Sequence, residues 1–372
     1  MAVSAFGIVS SADNTIHVEG LHDYRPIGAF SFLGRFRVID FPISNMSNSG
    51  INRIQVYVRS RPRSIAEHVG SGRHYNINSK RGKIQLLFSE NSSSRSIYNN
   101  DINAYFENLD IIQRMHQEYV IIAPSYMVYK QDYKQLLDAH IASGADITLL
   151  YHKVDNAREY FKNCHTISLN RQKGVSSIDK NLGTANNKNI LMDTYCMKRD
   201  TFVELVKDAS WMSSMYTLAD IVNIMCKQMD VRAYQHKGYF ATLTSLEDYY
   251  NASMELINYD IASDLFRAEW PIYTRTTDSC PTQYFDTSKV TDSFVSNGCL
   301  IEGTIDRSIL GRSVVIKKGA VIKNSIIMAY AVIEEGVHIE NAIVDKWAHI
   351  IHAKNIKGEP EAPQYIKRND TL

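Results

Sequence analysis

The turn after the first strand of this chain contains no glycine and no basic residue. Residues 5–9 (AFGIV) read as a short buried strand, and Ser10, Ser11, Ala12, Asp13 and Asn14 form the turn that follows. In a nucleotide-binding α/β domain a glycine-rich loop stands there, because glycine lets backbone N–H groups close around phosphates with no Cβ in the way. Here the turn carries an acid, Asp13, whose carboxylate repels a triphosphate.

Other absences narrow the class. The five cysteines (Cys164, Cys196, Cys226, Cys280, Cys299) are odd in number and show no CxxC spacing. This pattern predicts free, reduced thiols in a cytoplasmic protein, most of them filling core. No Cys/His cluster has metal-ligand spacing, so no metal site is expected. The formal net charge is only +1, which gives no broad attraction to nucleic acid or membrane. The N-terminus lacks a basic segment followed by an apolar run, the pattern of a secretory signal. No run of about 18 apolar residues exists to span a bilayer.

What is present is an ordinary globular composition, 44% hydrophobic and 22% charged over 372 residues. That length holds a sizeable core and predicts two domains. Residues 1–260 alternate strand-like and helix-like patterns. Segments 54–58, 119–124 and 146–151 read as strands. Residues 133–142 between the last two have helical spacing and are stopped by Gly144. Strand, helix, strand in this order predicts a parallel sheet with crossovers. Residues 247–259 read as a second amphipathic helix. Residues 261–290, with Trp270-Pro271, Cys280-Pro281 and many Thr and Ser, read as an irregular linker.

From 291 to 372 a six-residue period replaces this texture. Ile309, Val315, Val321, Ile327, Ile333 and Ile339 form one apolar series, and Val337 and Ile343 belong to a parallel one. A period of six is the signature of a parallel β-helix, with one short strand per triangular face and the repeating residue pointing inward.

The block from Arg35 to Gly50 (RFRVIDFPISNMSNSG) resembles the most recognisable stretch of bacterial ADP-glucose pyrophosphorylases (glucose-1-phosphate adenylyltransferases). Further likeness lies in residues 128–133 (VYKQDY), Gly238-Tyr239, Trp270 to Ile272, and Val295 to Cys299. The resemblance covers nearly the whole chain. It implies an α/β fold in which a Rossmann-like nucleotide-diphospho-sugar transferase domain precedes a left-handed parallel β-helix.

Carried over position by position, the family's catalytic motifs are degenerate here. Its glycine-rich loop falls on Ser10 to Asn14, and its Lys before Pro becomes Arg25. Its Gly-Thr-Ala-Asp-Ala stretch falls on residues 100–104 (NDINA). Its two metal-binding aspartates fall on Tyr126 and Thr242. Its Glu-Lys pair at the sugar phosphate becomes Asp179-Lys180, but Leu191 and Asp193 replace a Ser and a Gly expected nearby.

Magnesium needs hard oxygen ligands, usually carboxylates plus phosphate oxygens, and neither Tyr126 nor Thr242 supplies one. Losing a single electrostatic donor typically costs about 3–4 kcal/mol of transition-state stabilisation, roughly 10²–10³ in rate. With both acids and the loop gone, independent turnover should be negligible. The resemblance therefore implies a non-catalytic regulatory subunit that acts in glycogen synthesis. It would sit in a heterotetramer with a catalytic homologue, which would hold the magnesium and make ADP-glucose from ATP and glucose 1-phosphate.

The arginines of the first fifth of the chain include Arg25, Arg37, Arg59 and Arg63, whose planar forks suit phosphate and carboxylate. In the family, anionic effectors bind between the N-terminal region and the β-helix, so these four are candidate effector ligands. Solvated surface charges or subunit salt bridges are the plainer reading. Three further readings stand beside the regulatory one: an active nucleotidyltransferase with a rearranged site, a stand-alone sugar-phosphate sensor, and an acyltransferase using His338, His349 or His352.

Overall fold

The computed structural model describes residues 4–11, 16–59, 61–78, 80, 82–88, 100–352 and 354–372. In the first strand, Ala5–Ser10, alternate side chains point to opposite faces of the sheet. Ala5 and Val9 join one apolar cluster, and Phe6 and Ile8 join the other. Gly7 lies on the Ala5 side, where a Cβ would come within 2.4 Å of the Met46 sulfur, so the glycine is what lets helix Asp40–Asn48 sit this close.

Among the described residues nine strands form the N-terminal sheet. Ala5–Ser10 runs parallel to Arg53–Val58 on one side and to Tyr119–Pro124 on the other, and Lys83–Phe88 extends the parallel half. The expected crossover helix is Tyr133–Ser143. Asp132 caps it by accepting the N–H groups of Lys134 and Gln135, and Gly144 ends it in the left-handed region at φ 65°.

The sheet is not all parallel, however. The long strand Lys188–Lys198 runs antiparallel to Tyr119–Pro124 and to Ile147–Val154. Only the strands His165–Leu169 and Val175–Lys180 intervene after Ile147–Val154, with no helix among them. In α/β sheets a parallel return usually comes through a crossover helix, and this connection has none.

The second expected helix is also shorter than its pattern. Leu246–Glu255 ends there, and Tyr259–Leu265 begins anew with Asn258 accepting the Asp260 N–H. That second helix enters the stretch read as a linker. The same stretch holds Gln283–Tyr284 and Lys289–Thr291, which pair with the β-helix as strands of its first coil.

The C-terminal region is a left-handed parallel β-helix of three five-stranded parallel sheets. Its inward residues are Ile316, Ile322, Ile327, Ile333, Ile339 and Val344, all nearly or fully buried in one cluster. Register pairs Ile316 with Ile333, Ile322 with Ile339 and Ile327 with Val344, a coil of 17 residues. Steps of six, five and six make up that coil, so a strict six-residue series slips by one residue per coil. Val315 and Val321, expected inside, are therefore only half-buried, while Ile316 and Ile322 take the interior. Ile309 points outward. With Ile326 and Ile343, one coil apart on the same face, it packs into the core of the N-terminal domain. One flank of the β-helix is thereby fused to the sheet domain by apolar burial.

Candidate functional site

In doubly wound sheets the ligand crevice lies beyond the carboxyl ends of the strands, at the point where strand order reverses. Here that point is the first strand, flanked by Arg53–Val58 and Tyr119–Pro124. Ser10 ends the first strand and Ser11 follows it, Arg59 follows the second, and Tyr126 lies two residues beyond the third. Across from them stand Asn100 and Asp101 at the start of helix Asp101–Glu107, His165, Asp193 and Thr217. Asp13 lies outside the described residues.

The free space these residues line is about 70 Å³. Small-molecule sites usually measure about 300–1,000 Å³. Asp193 projects into this space. It sits at φ 40°, a left-handed conformation that favours glycine, at an irregularity in strand Lys188–Lys198. Its carboxylate accepts the Tyr126 O–H and meets His165 Nδ1 at 3.1 Å. Burial alone would lower the His165 pKa, but the Asp193 carboxylate outweighs it and the ring ends above its ordinary value. Burial raises the Asp101 carboxyl against the pull of Arg59, and the backbone N–H groups of Leu218 and Ile102 hydrogen-bond to it at 3.2 and 2.9 Å.

Tyr126 and Thr242 come from neighbouring chain segments but line different cavities. Strand Phe240–Thr242 pairs with Met127–Tyr129, and the Leu243 N–H donates to the Tyr126 carbonyl at 3.0 Å. Both side chains are buried, but the Tyr126 hydroxyl is engaged with Asp193, and Thr242 is hydrogen-bonded to the Cys164 thiol. Among the described residues no group of three or more His, Cys, Asp or Glu is placed to hold a metal. This donor set does not fit magnesium. Asp179 and Lys180 end strand Val175–Lys180, both exposed. Asp179 accepts the Ser177 hydroxyl at 2.8 Å, and Lys180 pairs in register with His165 at the rim of the closed space.

Of the four candidate effector arginines, Arg25 and Arg37 come near each other and Arg59 and Arg63 lie elsewhere. Arg59 belongs to the closed space. Arg63 is exposed and pairs with Glu67 one turn on. Arg25 is buried and gives Nη2 to both oxygens of Asp345 in the β-helix, at 2.6 and 2.5 Å. Arg37 donates Nη1 to the Ser64 carbonyl at 2.9 Å, and burial lowers its pKa. Arg25 and Arg37 thus lie at the seam between the two halves, together with a residue the sequence did not flag, Lys346. Burial, aided by Arg37 and Arg25, brings the Lys346 ammonium down to about 7. Farther along the seam a cavity of about 630 Å³ opens between Arg35 and Arg312, walled by Phe36, Phe266 and Phe294. The β-helix cations lie at coil corners, and nothing in a six-residue apolar period marks them.

His349 pairs with Glu334 at 2.9 Å, and His338 is exposed. No helix among the described residues is long and apolar enough to cross a membrane.

Comparison with known proteins agrees with this architecture. Residues 24–258 match the nucleotidyl transferase family model, and residues 281–365 match the GlmU-like C-terminal hexapeptide model. The glycogen biosynthesis protein GlgD of Geobacillus stearothermophilus is 31% identical over 323 residues, 85% of this chain and 82% of that protein. GlgD of Bacillus subtilis is 28% identical over 359 residues, 96% of this chain and 94% of its own length. A glucose-1-phosphate adenylyltransferase of Clostridium beijerinckii is 31% identical over 308 residues, 80% of this chain and 78% of that enzyme.

Proposed function

The chain belongs to the nucleotidyl transferase family, among the glucose-1-phosphate adenylyltransferases and the GlgD glycogen biosynthesis proteins, and from this premise we propose that it is a non-catalytic subunit which modulates a catalytic homologue. The two would form a heterotetramer in the cytoplasm, and the homologue would make ADP-glucose from ATP and glucose 1-phosphate. One observation carries the reading. The space beyond the first strand, lined by Ser10, Tyr126, His165 and Asp193, measures about 70 Å³, and within it Asp193 holds Tyr126 and His165. A chain that keeps both halves of the fold but closes the reaction site has its remaining surfaces with which to act on a partner.

The modulation is triggered by an anionic metabolite at the seam of the two halves. Lys346 and Arg37 are cations held there at a desolvation cost that an anion relieves, and the cavity between Arg35 and Arg312 has the volume of a metabolite site. A ligand that touches both halves shifts their arrangement by its differential affinity.

The test is co-expression with the catalytic homologue, native mass measurement of the product, and assay of ADP-glucose formation with and without sugar phosphates and carboxylates. The expected result is a mixed tetramer with altered activation. Failure to co-purify together with unchanged kinetics overturns the proposal. The two acids beside the closed space, Asp101 and Asp193, favour a second reading, a rearranged catalytic site. Magnesium-dependent pyrophosphate release by the isolated chain would select it.

A further inference from the structure

A cavity of about 460 Å³ opens on the sheet domain, where the turn into helix Tyr133–Ser143 meets the end of strand Val231–Gln235 and Trp270. It shares no lining residue with the closed space or with the cavity between Arg35 and Arg312. We propose that it binds a phosphate monoester through Lys130 and Lys237, with the body of the ester against Trp270.

The two lysines come from separate segments that one hydrogen bond clamps together. Lys130 follows strand Met127–Tyr129, and Lys237 lies two residues beyond strand Val231–Gln235. His236, next to Lys237, donates its Nε2–H to the Lys130 carbonyl at 3.1 Å. Burial, with His152 beside it, brings the His236 pKa down to about 4, so this ring adds no charge at neutral pH. Both ammoniums line the cavity, and among the described residues no carboxylate forms an ion pair with either. Burial lowers the Lys130 pKa, with Arg267 adding to the effect and Asp264 and Glu269 opposing it. Asp264 is itself engaged by the Tyr239 N–H and by Arg267. An anion docked here returns to Lys130 the stabilisation that burial removes.

The end of helix Tyr133–Ser143 does not supply the donors. Its first N–H groups are taken: Tyr133 by the Ser49 hydroxyl, Lys134 and Gln135 by the Asp132 carboxylate, and Leu136 by the Asp132 carbonyl. Asp132 is thereby committed to the helix, whose positive end offsets part of its charge. The anion is held by side chains instead. The Gln135 and Gln235 amides and the Tyr234 hydroxyl line the same space and can donate.

The ligand class follows from this set. Lysine is a compact point charge that suits phosphate. A phosphate monoester carries close to two charges at neutral pH, which two ammoniums balance, and the amides and hydroxyl serve its remaining oxygens. A single carboxylate leaves one ammonium unmatched, and a triphosphate exceeds both. The Trp270 indole N–H donates to Asn45 Oδ1 at 2.9 Å, and the Asn45 amide donates to the Tyr129 carbonyl at 2.9 Å. The indole is thus fixed and offers the cavity only carbon surface, against which a sugar or a base can lie.

Calorimetric titration of the full chain tests the site with phenyl phosphate as the probe, and with inorganic phosphate and benzyl alcohol to separate head from body. Phenyl phosphate should bind at least about tenfold tighter than either. Lys130→Gln and Lys237→Gln should each weaken it about tenfold or more, with the circular dichroism melting curve unchanged, because neither ammonium has a partner to lose. Lys346→Met, at the seam, should leave it intact, which separates this site from the anion reading of the seam. The Trp270 indole N–H resonance should shift during the titration while those of Trp211 and Trp347 stay in place. Preference for adenosine monophosphate over glucose 6-phosphate identifies a nucleotide body, and the reverse identifies a sugar body. Absence of heat with phenyl phosphate, binding that both lysine variants leave untouched, or loss of binding in Lys346→Met overturns the proposal.

Discussion

Arg25 and Asp345, 320 residues apart, form a buried ion pair that ties the sheet domain to the β-helix. Asp345 also accepts the Tyr365 O–H at 2.7 Å and the Lys346 backbone N–H at 2.6 Å, so its remaining lone pairs are occupied. Removing one partner of such a pair strands a desolvated charge and typically costs about 3–5 kcal/mol, whereas replacing both with apolar groups is often neutral. Asp345→Asn should therefore lower the urea midpoint sharply, and the Arg25→Met, Asp345→Leu double variant should recover most of the loss. If the single variant melted like the parent, the pair would not join the halves energetically.

Lys346 predicts a pH dependence. Its ordinary value is 10.5 and burial brings it to about 7, so between those values the unfolded chain binds the proton that the folded chain has released. Stability attributable to this group then rises with pH across that window, and the penalty of the buried charge is complete below about pH 7. Lys346→Met should flatten that part of the stability profile. An anion docking at the seam reverses the balance by recharging the ammonium. Its binding should take up a proton and weaken above about pH 7, which calorimetry in buffers of different ionisation heat would detect. Proton-neutral binding would move the anion elsewhere.

The plug at Asp193 makes two linked claims. Asp193→Gly removes the carboxylate that raises His165, leaving burial to pull the ring below its ordinary value. The His165 ring resonances should then titrate at lower pH than in the parent. The same change removes a side chain from a left-handed position at φ 40° and widens the closed space. Combined with Tyr126→Asp and Thr242→Asp it restores an acid at both motif positions, and magnesium-dependent ATP binding should be stronger than in the parent. A triple variant that binds ATP no better than the parent would show that Asp193 is not what shuts the site.

Much of this was readable from the sequence because burial leaves a residue-by-residue trace. The continuous apolar run Tyr119–Pro124 is buried on both faces, and Gly144 stops its helix as a left-handed cap should. The degenerate pair Tyr126 and Thr242 could be named from motif position, but the different cavities they line could not. Asp193 was visible as a replaced glycine, but its grip on Tyr126 and His165 was not, because the three come from separate strands and loops. The reversal of strand Lys188–Lys198 was hidden for a similar reason: apolar runs do not encode direction. Arg25 read as an anion ligand because sequence shows a free guanidinium, while its partner lies in the other half of the chain.

The β-helix phase gives the sharpest test of what periodicity alone can settle. A strict period of six points Val321 inward, whereas the coil of 17 residues points Ile322 inward and leaves Val321 half-buried. Ile322 stacks between Ile305 and Ile339, with no side-chain surface left to solvent. Truncating it leaves a cavity between coils that the parallel ladders hold open, so Ile322→Ala should cost about 2–5 kcal/mol. Val321→Ala removes less volume from a partly wet position and should cost about 1 kcal/mol or less. Chemical denaturation of the two variants side by side decides between the phases. Equal losses, or a larger loss at Val321, would restore the six-residue register and overturn the one described.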